Sequence, residues 1–413
     1  MTVTSRTARP LAEPEIHGQR GVSWIVGLIW GLLVVNTLGS LAVDTIVPIP
    51  RRVLQVITMG SLAVAFVLAL LLNRRLRIRP NAFLLLLSLL VVASILSSSF
   101  MESGFGALLR CARLAVFVAT LWLLTRWWDG GISFVRHHIR ALSAVLATVA
   151  IGLVISPSMA MPADFDSRLV GIIWPITATQ VADYAAVVAG LTLVLWLARA
   201  TTTRSVVLIA GPALVMLLLT HTRTATIAML AAIPVAGLTL ALTNARARKT
   251  IATITVGAAV LAIAFSTALT AWFQRGQDAE LFSNLTGRQY VWDALLAQER
   301  TVREQLFGVG LTDKSFGGDP IDSTWLAVFH EQGILGVSIV ALMLLALVFA
   351  MAARPPSPAR ACAVFLVVYG VIASYTQVAL GDVTGYLLHF VLAAALLVPA
   401  ASEQRSLHSF DRA

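Results

Sequence analysis

Apolar runs recur along the whole chain between short polar breaks, and about 20 such residues cross a hydrocarbon core roughly 30 Å thick as an α-helix. Read this way, the pattern predicts an all-α integral membrane protein of about twelve transmembrane helices. These fall near 22–42, 53–72, 81–98, 107–125, 139–156, 175–198, 205–220, 224–243, 250–272, 334–353, 361–379 and 383–400. The run from Val22 to Ser40 is too long for a signal-peptide core and lacks a small-residue cleavage site, so it is read as the first span. Only His221-Thr222-Arg223 separates spans seven and eight, which requires a tight turn. The organisation is therefore a polar tail over 1–21, spans one to nine within 22–272, a long loop over 273–333, spans ten to twelve within 334–400, and a tail over 401–413.

Composition agrees with lipid as the main solvent: of 413 residues, 58% are hydrophobic and only 12% charged. The net charge of +10 does not point to nucleic acid, because the basic residues lie in short clusters between apolar segments instead of along one polar face. Lys249 and Lys314 are the only lysines, so arginine supplies nearly all the positive charge, a usage that fits a GC-rich bacterial genome. Cys111 and Cys362 have no CxxC partner and read as packing residues.

Loop charge sets the orientation, since Lys- and Arg-rich loops stay in the cytoplasm. With the amino terminus inside, Arg6, Arg9, Arg20, Arg74, Arg75, Arg77, Arg79, Arg126, Arg136 and Arg140 all fall inside. Arg199, Arg204, Arg246, Arg248, Lys249, Arg354, Arg360, Arg405 and Arg412 do so as well. Both ends are then cytoplasmic and the long loop is extracytoplasmic. Arg51 and Arg52 are the contrary pair, on an outer loop. Within the long loop, Thr286-Gly287-Arg288-Gln289 has the form of a capping box, and Val291, Trp292, Leu295 and Leu296 follow at helical spacing. This predicts a short amphipathic helix against the membrane surface.

Ionisable residues inside a span are costly, so those present face a cavity or a partner. Arg110 and Arg113 in span four, Asp183 in span six and Arg223 in the turn after span seven all fall in the outer half. Arg110 and Arg113 have two readings, as anion ligands or as side chains snorkelling to the interface. Arg168 stands in an outer loop, and Arg288 opens the predicted helix, where free backbone N–H groups and a guanidinium together suit a phosphate oxygen. The alternative for Arg288 is a solvated pair with Asp293 or Glu299. Asp322, His330 and Glu331 precede span ten on the same side, where a carboxylate or imidazole can take a proton from a hydroxyl. His330 and Glu331 can equally cap and anchor that helix. Neither a metal-ligand pattern nor a phosphate-binding Gly-x-x-x-x-Gly-Lys loop is present.

Taken in order, four segments resemble the O-antigen ligase and polymerase superfamily. They are Arg168-Leu169-Val170-Gly171 and Leu219-Thr220-His221-Thr222-Arg223-Thr224-Ala225, then Leu285-Thr286-Gly287-Arg288 with Trp292 and Leu306-Phe307-Gly308-Val309-Gly310, and finally the stretch from Asp322 to Gly336. The last resembles a closing His-Asn-x-x-Leu signature, except that Asp322 stands at the histidine and Ser323 at the asparagine, which is closer to polymerase-type members. The resemblance implies transfer of an oligosaccharide from a polyprenyl diphosphate-linked glycan donor to a glycan or lipid acceptor on the outer face of the bacterial cytoplasmic membrane. It implies no cofactor, neither nucleotide nor metal, and a flippase and chain-length regulator as partners. In this reading Arg168, Arg223 and Arg288 neutralise the diphosphate and Asp322 is the base. Arg110, Arg113, His221, His330 and Glu331 contribute to substrate binding. A lipid-linked sugar flippase or another polytopic transporter is the alternative.

Overall fold

A computed structural model describes residues 16–38, 43–101, 103–241, 248, 253, 288–312, 314–378 and 380–399. The predicted ninth span, apart from residue 253, and residues 273–287 of the long loop lie outside the described residues. The first five helices are α1 (Ile16–Asn36), α2 (Arg51–Leu72), α3 (Ala82–Phe100), α4 (Phe105–Leu124) and α5 (Ser133–Ile155). Next come α6 (Ala178–Leu197), α7 (Thr203–Leu219), α8 (Arg223–Ala241), α9 (Arg288–Ala297) and α10 (Val302–Phe307). A two-stranded antiparallel ribbon, β1 (Ser315–Phe316) with β2 (Asp319–Pro320), leads to α11 (Thr324–Ala353), α12 (Pro358–Ala373) and α13 (Gly385–Leu396). Seven described helices are long and apolar enough to cross a bilayer, and four further apolar helices are shorter.

Burial follows what lipid requires. α6 is enclosed almost completely and packs on α5, α7, α8 and α12, whereas α2 leaves Val56, Val64, Val67 and Leu71 exposed on one face. Such a face is a liability in water and ordinary against acyl chains. Close approach inside the bundle uses small residues: any side chain at Gly190 would strike the Phe365 ring, and any at Gly370 the Phe390 ring. In α7, Pro212 has no N–H to give, and the helix widens there into a π turn over Val206–Ala210, closed by Gly211 N–H on Val206 C=O.

The connections gather at two ends. At one end Asn73 Nδ2 donates to Leu123 C=O (3.0 Å) and Arg354 Nε to Leu397 C=O (2.9 Å). At the other, Ile46 N–H donates to Ile172 C=O (2.9 Å), Leu169 N–H to Leu219 C=O (3.0 Å) and Ser103 Oγ to Val309 C=O (2.6 Å). The tight turn expected between spans seven and eight is present, with His221 in the left-handed region (φ +49°) and α8 starting at Arg223. The helix expected after Arg288 is α9, with Trp292 and Leu295 buried and Leu296 exposed.

Span ten departs from expectation. Its helix begins at Thr324, about ten residues before the predicted 334, and breaks at Gly333 (φ +65°). The hydropathy reading missed the first half because Thr324, His330, Glu331 and Gln332 are polar, yet all four are buried. A break inside a buried helix leaves carbonyls that need partners from the protein. Here Val309 N–H donates to His330 C=O (2.9 Å), Gly310 N–H to Glu331 C=O (2.9 Å), and Ser97 Oγ also donates to Glu331 C=O (3.3 Å). Gly308 (φ +74°) and Gly333 meet backbone to backbone, with no room for a side chain on either.

This junction predicts different costs for two glycines with nearly the same φ. Gly317 (φ +64°) faces open space, so Gly317→Ala carries only left-handed strain, about 1–2 kcal/mol. Gly333→Ala adds a collision with Leu306 and Gly308 backbone and is expected to lower the thermal unfolding temperature in detergent well beyond Gly317→Ala. Equal melting temperatures for the two variants would show that the junction is not tight.

Candidate functional site

The loop-rich end that holds Asp322 contains a cleft of about 590 Å³ lined by Arg51, Arg113, Lys314, Asp183 and Asp322, with Tyr184 and Tyr386 among its walls. Each comes from a different part of the chain. Arg51 is the first residue of α2, whose N-cap position is Pro50 and carries no side-chain cap, so the opening N–H groups of this helix lie beside a guanidinium. Arg113 extends from α4 to the end of α1, where its guanidinium donates to Asn36 C=O and reaches Asn36 Oδ1 (3.4 Å). Lys314 precedes β1, and its Nζ donates to Asp382 Oδ2 (3.0 Å).

The sequence-predicted residues divide into three groups. Asp322 and Arg288 meet: Arg288 Nε donates to Asp322 Oδ2 at 3.0 Å, a pair that is partly solvent-exposed. Arg288 thus pairs with Asp322 instead of Asp293 or Glu299, because α9 carries it toward α11 by packing Leu295 against Ile321 and Ala327. Arg113 joins Asp322 on the cleft wall, and Arg110 lies half-buried one turn away on α4.

Arg168, His221 and Arg223 form a second group around the turn between α7 and α8. Arg168 Nε donates to Thr220 C=O (3.0 Å) and an η nitrogen to Thr222 Oγ1 (3.0 Å), which braces the turn. Next to Arg223, Thr224 and Thr376 share a hydroxyl hydrogen bond (2.7 Å), tying the turn to the loop that carries the cleft residue Gln377. None of these three is among the cleft-lining residues, and neither is Arg288, which reaches the cleft through its pair with Asp322.

His330 and Glu331 form the third group. Arg300 contacts His330 Nδ1 (3.2 Å), and Glu331 is buried with Thr312 N–H (2.8 Å) and Thr312 Oγ1 (3.0 Å) donating to Oε1. Both contact the segment that precedes α11, and neither is among the cleft-lining residues. Cys111 and Cys362 are buried free thiols. Among the described residues no group of three His, Cys, Asp or Glu side chains is arranged to hold a metal ion.

Sequence reasoning passed over Arg51, Lys314 and Asp382. A signal existed for two of them: Arg51 violates the loop-charge rule, and Lys314 is one of two lysines in a chain that otherwise uses arginine. Both side chains line the cleft, which gives each a local reason to be there. Asp382 follows Gly381 in the α12–α13 loop. Burial alone raises its carboxyl, but the Lys314 ammonium, the Arg113 guanidinium and Val383 N–H outweigh burial and hold it below the ordinary aspartate value.

Neither protein-family models nor curated proteins match this chain, so the side-chain arrangement alone bears on function.

A carboxyl depressed in the folded state stabilises the fold above its unfolded value, about 3.9, and that contribution is lost as pH falls through the lower folded value. Removing Lys314 leaves burial, which raises Asp382, less opposed. Lys314→Met is therefore expected to be less stable than the wild type near neutral pH and to lose less of its thermal stability on acidification through the aspartate range, followed by tryptophan fluorescence in detergent. Superimposable acid limbs would mean that Lys314 does not set the Asp382 charge.

Proposed function

We propose that this protein is a glycosyltransferase of the O-antigen polymerase and ligase kind, set in the bacterial cytoplasmic membrane by twelve spans with both ends inside and the cleft facing outward. It moves an oligosaccharide from a polyprenyl diphosphate carrier to an acceptor hydroxyl, without nucleotide or metal. The observation that carries this reading is the cleft: three cations and an uncapped helix start, suited to a diphosphate, share one space with two carboxylates, suited to hydroxyl groups. Asp322-Ser323 in place of His-Asn favours polymerase over ligase. The acceptor is then a second lipid-linked glycan, and a flippase and a chain-length regulator are the expected partners.

In the proposed reaction Arg51, Arg113 and Lys314 hold the diphosphate and Arg288 stabilises it as it leaves. The acceptor oxygen attacks the anomeric carbon, the bond from that carbon to the phosphate oxygen breaks with its electron pair going to the diphosphate, and the hydroxyl proton passes to Asp322. A single displacement inverts the anomeric centre. Arg168 braces the turn beside the cleft through Thr220 and Thr222, and Arg223, which opens α8 at that turn, is kept as a diphosphate contact.

The rival reading is a lipid-linked sugar flippase or other transporter, favoured by a polar chain that runs from Asp183 into the bundle through His389 and His138. Reconstitution separates the two. Protein in detergent, given a polyprenyl diphosphate oligosaccharide and an acceptor glycan, is expected to form longer glycan without added nucleotide or metal. Arg51→Ala and Arg288→Ala are each expected to lower the rate about 100-fold, the scale of losing one charge-stabilising contact, and Asp322→Asn tests the base. No glycan transfer by folded protein overturns the enzyme reading. Movement of labelled lipid across vesicles without transfer would establish the transporter.

A further inference from the structure

Behind the cleft wall lies a line of polar side chains from five helices, each almost wholly shielded from solvent. Trp30 of α1 donates its Nε1–H to His138 Nδ1 of α5 at 2.9 Å. His138 Nε2 meets His389 Nδ1 of α13 at 2.9 Å, and His389 Nε2 meets Asp183 Oδ2 of α6 at 3.1 Å. Tyr369 of α12 donates its hydroxyl to Asp183 Oδ1 at 2.9 Å.

An indole nitrogen only donates, and this settles every hydrogen in the line. His138 Nδ1 must accept from Trp30, so the His138 hydrogen sits on Nε2 and is given to His389 Nδ1. The His389 hydrogen is then on Nε2 and is given to Asp183. All the donors point one way and end on a single carboxylate. Moving a proton inward from Asp183 would require both imidazoles to exchange tautomers and would set His138 Nδ1–H against Trp30 Nε1–H, two donors with no acceptor. The line is therefore closed as a proton path.

Asp183 also forms part of the cleft wall, beside Gln180 and Tyr184. A carboxylate has about four lone-pair sites, and Tyr369 and His389 account for two. The approach to Oδ2 is kept by Gly385, where an added Cβ would come within 3.0 Å of the Tyr184 ring and 3.4 Å of Oδ2.

We propose that Trp30, His138 and His389 are a one-way positioning chain for Asp183, and that the Asp183 carboxylate accepts a sugar hydroxyl from the glycan bound in the cleft. The identity of the ligand rests on the function proposed above, and the direction of the chain does not. A neutral polyol is the matching chemistry, because an anionic diphosphate is repelled by Asp183 and drawn to Arg51, Arg113 and Lys314.

The test uses the full chain in detergent. Selective ¹⁵N-histidine labelling with NMR is expected to show His138 and His389 as neutral rings protonated at Nε2, and Trp30→Phe to release His138 from that tautomer. Binding is read by thermal shift with polyprenyl diphosphate carrying an oligosaccharide, and with polyprenyl diphosphate alone. Asp183→Asn and His138→Leu are expected to weaken the glycan-bearing lipid about tenfold and the bare lipid hardly at all. His138→Gln, whose amide can accept from Trp30 and donate to His389, is expected to keep wild-type affinity. Histidines protonated at Nδ1, or doubly, overturn the chain. A Gln variant as weak as the Leu variant overturns directional positioning, and a wild type that binds both lipids equally overturns the hydroxyl role alone. A wild type that binds neither overturns that role together with the glycan-transfer reading.

Discussion

A helix break buried in protein leaves backbone carbonyls out of reach of water, and α11 is interrupted at buried Gly333 in spite of this. The interruption survives because the chain from Phe307 to Gly310 lies along the break and gives its N–H groups to the His330 and Glu331 carbonyls, with Ser97 of α3 assisting. Two glycine backbones in contact make that approach possible. The consequence reaches the cleft directly. Thr312, immediately beyond the junction, is held by Glu331, and the chain then delivers Lys314 and Asp322 to the cleft wall. The polar residues of the first half of α11 are thus explained by anchoring, and the cleft by what the anchored loop carries.

A second constraint governs the charges themselves. A cation withdrawn from water is costly unless something near it carries compensating charge or dipole. Three of the cations around the cleft are restrained in this way: Arg113 by the last carbonyl of α1, Lys314 by Asp382, and Arg288 by Asp322. These restraints fix side chains that would otherwise sample many rotamers, which suits a site that must present positive charge at set positions. Arg51 differs in being exposed at a helix start, where the helix dipole adds to its charge instead of compensating it. The cleft is accordingly positive along one set of residues and provided with carboxylates on another.

Much of this molecule was legible before any fold was seen. The succession of apolar runs, the tight turn at His221 and the amphipathic helix after Arg288 all follow from local composition and spacing. Hydropathy works here because lipid contact is a property of each segment by itself. It failed at Thr324–Gln332, where a helix is buried by protein instead of lipid and so needs no apolar signature.

Which side chains meet was decided only by the tertiary structure. Trp30 and His138 are 108 residues apart, and His138 and His389 are 251 apart, yet their hydrogen-bond roles determine one another. Arg168 and Arg223 share a side of the bundle with Asp322 and still do not line its cleft, while Arg51, set aside as an exception to the charge rule, does. Segment hydropathy marks which stretches of a chain can enter a membrane. The rotation of each helix about its axis, and hence the cavity a side chain faces, is set by packing against helices remote in sequence.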